Sequence, residues 1–506
     1  MDTDVLVVGA GPTGMTVANE LLLAGVRTVL ADRLPERSAL SRAGGVQSRT
    51  LETLDQRGLL DPLLAAGDYP VGTSHFAGLP LPLPTAPRVD PEPDTAAFRP
   101  RQPWRSVPQV DLEAYLEEHL AAQGLRIRRD HELVALRQDE DGVTADFADG
   151  RTLRARYLVG ADGGHSTVRS LLKDEFPGRP GTLTTVAADV RLSGVEGLAT
   201  HHRSPDGHWA GIFPLGTDGQ GRPLRRLAMG GPGRSLPRDV PVTEAELRDG
   251  LRAVFGERVQ LLELCHARRI TNVARQVASY RHGRVFLAGD AAHVHLPLGA
   301  QGMNGGIQDA FNLGWKLGAA VRGWAPDGLL DSYHTERHRA GTLVLRNIQA
   351  QGLLMDWAGA GDPDVTATRE VFAELAELPD VRRHLGGLMS GTAIRYPMPD
   401  TAAHPFLGLS VPDLDVLDLD VPDLDLGPAR LYELLRSGRG VLLDPQDALA
   451  EAAAPWADRV DRTGWGAATA PLLIRPDGYV CWAGAADAPE TLRSALTHWF
   501  GAPTGR

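Results

Sequence analysis

The stretch "DVLVVGAGPTGMTVANELLLAGVRTVLADR", residues 4–33, leaves few folds open to the chain that carries it. Val5–Val8 is an unbroken apolar run, as expected of a parallel strand buried on both faces. Gly9-Ala10-Gly11-Pro12-Thr13-Gly14 follows it directly. In that pattern Gly9 permits the tight turn, Gly11 lets an anion approach the backbone, and Gly14 lets helix and strand pack closely. A helix is expected from about Pro12, a residue suited to the first turn, to Ala24, with Gly25 as its stop. A second strand then ends at Asp32, an acid placed to accept hydrogen bonds from an adenosine ribose, with Arg33 beside it. Strand, glycine turn, helix and strand-end acid make a βαβ unit that binds a dinucleotide through free N–H groups at the helix start. NAD and FAD share this fingerprint, so it leaves the cofactor open.

Two later strands end in the same way. "YLVGADGGHSTVRSLL" (157–172) reaches Asp162, followed by a Ser/Thr-capped helix that contains Arg169. "VFLAGDAAHVHLPLGAQGMNGG" (285–306) reaches Gly289-Asp290 and then a loop dense in glycine. Taken singly, either acid reads as an ordinary strand-end turn residue. Asp290, however, has no cation near it in sequence, and the hydroxyls of a ribityl chain would satisfy its oxygens. The glycines around it fit a loop whose backbone lies against a ligand. His293 and His295 form a His-x-His without acidic or cysteine companions, which is weak as a metal site. They are read as orienting the loop; no metal is expected and no catalytic residue is assigned.

The rest of the sequence bounds what surrounds these motifs. The 506 residues, 42% of them apolar, allow two or three domains with a substantial core. A net charge of 52 − 64 = −12 argues against a nucleic-acid partner. Only Lys173 and Lys316 are lysine, so single arginines carry little weight. Cys265 and Cys481 exclude a disulfide framework and are read as inert packing residues. No leader pattern and no apolar run of membrane-spanning length is seen, so no membrane partner and a cytoplasmic location are expected. Residues 75–105 are proline-rich and read as a loop excursion toward the substrate side. Alternating stretches within 181–268 suggest an antiparallel sheet in a separate lobe. The acidic alternation at 404–427 reads as a solvated connector, and a short α/β region without a CxxC pair follows it.

The three motifs in this order, with "GDAAHVHLPLGAQGMNGGIQDAFNLGWKL" as the longest, resemble the class A flavoprotein aromatic hydroxylases that share the p-hydroxybenzoate hydroxylase fold, over about residues 1–395. With "LLDSYHTERH", the wording is most similar to the branch that hydroxylates aromatic polyketides such as angucyclines and anthracyclines. The resemblance implies an α/β chain. A Rossmann-like FAD-binding domain is assembled from 1–74, 106–180 and 269–399, with the excursion at 75–105 and a substrate-binding sheet lobe at 181–268. Residues 400–506 are similar to that branch's thioredoxin-like appendage.

By the same resemblance Gly9, Gly11, Pro12, Thr13 and Gly14 would hold the FAD pyrophosphate and Asp32 the ribose, although the family usually has Glu there. Arg33 would line the adenine, and Arg42 matches the family's mobile-loop arginine, with Arg49 a second candidate. Gln109 matches a glutamine on the flavin side; Asp162 and Arg169 are associated with FAD and the pyridine nucleotide; Gly289 and Asp290 reach the ribityl chain. The N–H groups of Gly302, Met303 and Asn304 would face the flavin pyrimidine edge, where reduced flavin is anionic. The sequence departs from the family at Ala300, where glycine is usual. No second complete Rossmann unit is present, in keeping with NADPH or NADH binding transiently.

The implied reaction is reduction of FAD by NAD(P)H, addition of O₂ to give a flavin C4a-hydroperoxide, and hydroxylation of a polycyclic phenol or quinone in antibiotic biosynthesis. Trp209, Phe213, Pro297 and Leu298 are the candidate substrate contacts, and the chain is expected to be a monomer or homodimer. Baeyer–Villiger or decarboxylative oxygenation, an antibiotic-inactivating hydroxylation, and a flavin-binding partner subunit without turnover would leave the same motifs.

Overall fold

Buried aliphatic strands set the frame. In the computed structural model, which describes residues 1–67, 69, 75–81, 102–217, 220–356, 361–399, 404–416, 429–445, 447–464 and 470–504, β1 (Thr3–Val8) lies at the heart of a seven-stranded sheet. Glycine-led helix α1 (Pro12–Leu23) returns the chain to β2 (Thr28–Ala31), which pairs parallel with β1. The expected strand after helix α2 (Gln109–Ala122) is reduced to a single parallel bridge between Ala31 and Arg128. A β-meander follows, of β3 (Leu133–Gln138), β4 (Val143–Phe147) and β5 (Thr152–Gly160). Strand β5 pairs parallel with β1 on its other side, and helix α3 (Thr167–Leu171) follows it.

The five-stranded antiparallel lobe predicted within 181–268 runs β6 (Thr184–Ser193), β7 (His201–Arg203), β8 (Trp209–Thr217), β9 (Pro223–Gly230) and β10 (Gln260–Thr271), in the spatial order β7-β8-β9-β6-β10. The chain then re-enters the first sheet through β11 (Val285–Leu287), parallel to β5. The register aligns three strand ends: Val8 lies opposite Gly160, and Gly160 opposite Leu287. The loops after β1, β5 and β11 therefore leave the sheet side by side, where open α/β sheets place their ligands.

Helix α4 (Gln301–Arg322) crosses α1 closely because Gly314 and Gly318 carry no side chain. A Cβ there would stand 2.3 Å from Glu20 Cβ and 2.6 Å from Ala24 Cβ. Helix α5 (Leu329–Leu354) packs on α4. Among the described residues no helix is long and apolar enough to cross a membrane.

The C-terminal module has a four-stranded sheet of β12 (Gly440–Leu443), β13 (Val460–Thr463), β14 (Leu472–Ile474) and β15 (Val480–Ala483), closed by α6 (Pro489–Phe500). Its order is β13-β12-β14-β15, with only β12 and β13 parallel, which is a thioredoxin-like arrangement. The connector reading fails over 404–414. Phe406, Val411 and Leu414 are buried in the module's core, and Val411 N–H donates to Gly478 O. Residues 406–414 are buried without a break, so the stretch packs into the module instead of running as a solvated connector. The rest of that stretch, 417–427, lies outside the described residues. Cys481 is buried as expected, whereas Cys265 is exposed on β10, an edge strand of the lobe.

The module is joined to α4 and α5 by buried charges. Arg475 donates to both oxygens of Glu336 at 2.6 and 3.0 Å and to both oxygens of Asp477. Lys316 Nζ reaches Glu336 and Asn312, each at 2.8 Å. Burial alone would raise the Glu336 pKa, but Arg475 and Lys316 outweigh it and hold the carboxyl down at about 2.

Candidate functional site

The glycine loop after β1 opens onto a cavity of about 1120 Å³, which runs between the first sheet and the antiparallel lobe. Gly9 has a φ of +104°, a region that glycine adopts freely. A Cβ on Gly14 would stand 1.9 Å from Gly9 O, so its absence lets α1 pack on the turn. Gly11 differs: a Cβ there would meet nothing within 4 Å, and the residue lies on the cavity wall with Pro12 and Thr13. Gly9 and Gly14 thus serve the fold, and Gly11 faces open space at a helix N-terminus, where an anion is favoured.

Asp290 lies on the same wall. No described residue donates a hydrogen bond to its carboxylate, which is open to the cavity; desolvation by the surrounding protein raises its pKa, with His293 and Arg42 pulling the other way. The loop that carries it is anchored from behind. Asp309 Oδ2 accepts the Gly289 N–H at 2.9 Å and pairs with His293 Nε2 at 2.9 Å, while Oδ1 pairs with Arg337 at 2.6 Å. Burial of Asp309 is outweighed by Arg337 and by the His293 contact, and its pKa is lowered. His293 therefore orients the loop. His295 lines the cavity; its Nδ1 contacts Leu296 O, its Nε2 is buried without a partner, and burial lowers its pKa to about 4.

Helix α4 begins at the cavity floor. Ala300, just before it, sits at φ +53°, ψ +28°, a left-handed conformation that costs a non-glycine residue about 1 kcal/mol. Ala300, Gly302 and Met303 line the floor, and first-turn N–H groups have no acceptor within their own helix. Asn304 stands behind them, fully buried: its Oδ1 accepts the Gln47 N–H, and its Nδ2 donates to Gly45 O and Ala300 O. Gln109, at the start of α2, lines the cavity with its Nε2 donating to Glu113 at 2.7 Å.

The opposite wall comes from the lobe. Trp209, Phe213, Pro297 and Leu298 all line the cavity, together with His75 and His201. Arginines stand around the same space. Arg226 is paired with Asp189 and donates to Ser41 O, and Arg268 donates to Arg42 O. Burial, Arg226 and Arg42 together lower the Arg268 pKa to about 10. Arg42 itself lines the cavity, as does Arg169, whose guanidinium donates to Ala291 O and Gly164 O across Phe176. A chain of net charge −12 thus gathers cationic groups at its cavity.

Other candidates stand behind the wall rather than on it. Asp32 accepts from Ala10 N–H at 2.6 Å and Leu34 N–H at 2.9 Å, and Arg33 is exposed. Asp162 caps α3 through Ser166 Oγ and Val168 N–H, and burial raises its pKa. Gly289 carries φ +60°, and a Cβ there would stand 2.7 Å from Thr13 Oγ1. Arg49 does not belong with the mobile-loop arginine. It is buried on a helix and does not line the cavity, donates to Asp477 O and stacks over Tyr479 of the C-terminal module. His75, His201 and Arg268 carried no local signal in the sequence, because each reaches the cavity through tertiary pairing of distant strands.

Comparison with known proteins agrees with this architecture. A family model described as an FAD binding domain matches residues 2–348, and one described as the C-terminal region of aromatic-ring hydroxylases matches 404–503. A rifampicin monooxygenase of Streptomyces venezuelae is 42% identical over 508 residues, covering 99% of each chain. A 12-dehydrotetracycline 5-monooxygenase/anhydrotetracycline 6-monooxygenase of Streptomyces rimosus is 40% identical, covering 99% of this chain and 100% of its own. The solved structure of OxyS anhydrotetracycline hydroxylase from Streptomyces rimosus superposes with a TM-score of 0.83 at 40% identity, covering 100% of both chains.

Proposed function

From the premise that this chain belongs to the FAD-binding-domain family of flavin-dependent aromatic-ring monooxygenases, we propose that it hydroxylates a polycyclic phenol or quinone of aromatic polyketide type. The overall balance is Ar–H + O₂ + NAD(P)H + H⁺ → Ar–OH + NAD(P)⁺ + H₂O. The observation that carries the reading is one continuous cavity. It joins a glycine loop fit for a pyrophosphate, an unpartnered carboxylate, a helix N-terminus and an aromatic wall. A space of about 1120 Å³ exceeds an ordinary small-molecule pocket of roughly 300–1,000 Å³, as a dinucleotide and a ring system together require.

Bound FAD supplies the two-electron reduction by NAD(P)H and the activation of oxygen. The chain's own residues do the rest. Gly11 and the first turn of α1 would take the pyrophosphate. Asp32 would reach the ribose through the rim of the glycine loop, with Arg33 beside the adenine, and Asp290 would accept the ribityl hydroxyls. The first-turn N–H groups of α4, at Gly302 and Met303, would stabilise negative charge on the ring edge nearest them. Asn304 and Gln109 would keep that floor and its margin in place. Trp209, Phe213, Pro297 and Leu298 would hold the substrate ring and exclude water, which protects a reactive oxygen donor from wasteful loss. Arg42 and Arg169 would attract the anionic pyridine nucleotide while it binds. An anhydrotetracycline-like naphthacene and a rifampicin-like naphthoquinone are the first substrates to try, given the relatives.

The test is direct. The purified chain is expected to be yellow, to oxidise NAD(P)H faster when such a substrate is added, and to incorporate one atom of labelled O₂ into the product. A protein that stays colourless after FAD reconstitution would overturn the assignment.

A further inference from the structure

Two imidazoles face each other on the lobe side of the cavity. His75 lies in a short hairpin (His75–Phe76 with Leu79–Pro80), and His201 lies on β7; their ring centroids are 3.9 Å apart at an interplanar angle of 57°. Phe213 meets His201 edge-on at 5.2 Å. The hairpin is fixed from outside by Gln351, which accepts the Ala77 N–H, and by Arg369, which donates to Ala77 O. His75 Nδ1 accepts the Gly78 N–H at 3.2 Å, which places the hydrogen of the neutral ring on Nε2. Among the described residues nothing hydrogen-bonds that Nε2–H or either ring nitrogen of His201, and both rings line the cavity. Burial keeps both rings neutral: it lowers His75 to about 4, and burial with His75, Arg369 and His202 lowers His201 to about 2.

The arginines on this side, Arg226 and Arg268, are already engaged with Asp189, Ser41 O and Arg42 O, whereas the three imidazole nitrogens beside Phe213 are open to a ligand. Polar atoms facing an aromatic pocket discriminate strongly for a ligand that pairs with them and against one that does not. A neutral His201 offers one acceptor and one donor, and His75 offers a donor beside it. Their complement is a ring edge with two neighbouring oxygens, at least one a hydroxyl.

We propose that His201, with His75 beside it, forms a recognition subsite for the oxygenated edge of the polycyclic substrate, reading a hydroxyl with an adjacent oxygen. This rests on the aromatic-substrate reading of the cavity above. The pair sets which ring and which orientation is accepted. A base with so little affinity for a proton does not hold one at neutral pH, so the pair acts by hydrogen bonding and positioning.

The experiment compares two probes on the FAD-loaded protein by equilibrium titration. Alizarin carries adjacent hydroxyls on an anthraquinone, and unsubstituted anthraquinone carries none. The parent protein is expected to prefer alizarin by about tenfold or more, since each net hydrogen bond contributes about 1 kcal/mol. His201→Phe keeps the aromatic volume and should cut the preference to about twofold or less, while anthraquinone binds as before. His201→Asn, which restores an acceptor and a donor, should recover part of it, and His75→Leu should lower it to an intermediate value. Preference retained in full by His201→Phe, or equal loss of both ligands with a lowered melting temperature, overturns the subsite. Flavin occupancy and NAD(P)H oxidation are read separately. A holoenzyme that turns over an aromatic substrate yet shows no alizarin preference defeats this inference alone.

Discussion

A single carboxylate oxygen of Asp309, Oδ2, accepts the backbone N–H of Gly289 at 2.9 Å, and the same oxygen pairs with His293. The wall of the cavity is thereby fastened to α4 by a group that never touches it. Asp309 also balances Arg337, which is buried with it. Asp309→Asn should therefore leave Arg337 without its counterion and cost about 3–5 kcal/mol, the range for a buried pair broken on one side. Denaturant unfolding reads this. A loss below about 1 kcal/mol would mean the anchor carries little.

Two glycines of one loop are expected to fail differently. Gly14→Ala puts a Cβ 1.9 Å from Gly9 O, so the variant should be poorly soluble or unfolded. Gly11→Ala meets nothing within 4 Å and should fold with unchanged melting temperature, yet bind FAD weakly. Circular dichroism and flavin titration separate the two. Tight FAD binding by Gly11→Ala would remove the pyrophosphate from that wall.

Asp290→Ala tests the carboxylate that no described residue pairs with. Hydrogen bonds to a charged group contribute about 1.5–3 kcal/mol, so FAD should bind about 10- to 100-fold more weakly. Flavin fluorescence on dilution measures it, and undiminished retention would refute the ribityl contact.

Acid should loosen the C-terminal module before the rest. The Glu336 carboxyl is held at about 2 against a usual 4.5, so the native state keeps it ionised where the unfolded chain binds a proton. Its contribution is therefore complete above about 4.5 and disappears as pH falls toward 2. Tryptophan fluorescence during acid titration reports this through Trp315 and Trp499, which pack near Arg475. Glu336→Gln should flatten the acid limb of the curve.

What the sequence made legible follows from range. Gly9 to Gly14 act within one turn, so their roles at turn, anion loop and helix contact can be read from spacing alone. The aromatic wall was within reach because Trp209 and Phe213 alternate along one strand and Pro297 and Leu298 follow the third strand-end acid. Acids at strand ends are harder. Asp32 and Asp162 look alike in sequence to Asp290, but a nearby N–H or hydroxyl captures them, and only Asp290 is left open. Arg49 resembles Arg42 in sequence as a second candidate for the mobile-loop arginine. Seven residues along, it lies in a helix and points to the other module. His75 and His201 are 126 positions apart and meet only through the lobe, so no local pattern announces them.

The seam of charge around Arg475 bears on how such chains exchange parts. Glu336 and Lys316 sit in the long helices, while Arg475 and Asp477 sit in a hairpin of the last hundred residues, all out of contact with water. A chimera that takes its tail from a homologue inherits one half of a lock. Unless the donor brings a matching cation and acid, the recombinant carries orphaned charge at its centre, so the two segments are constrained to descend together.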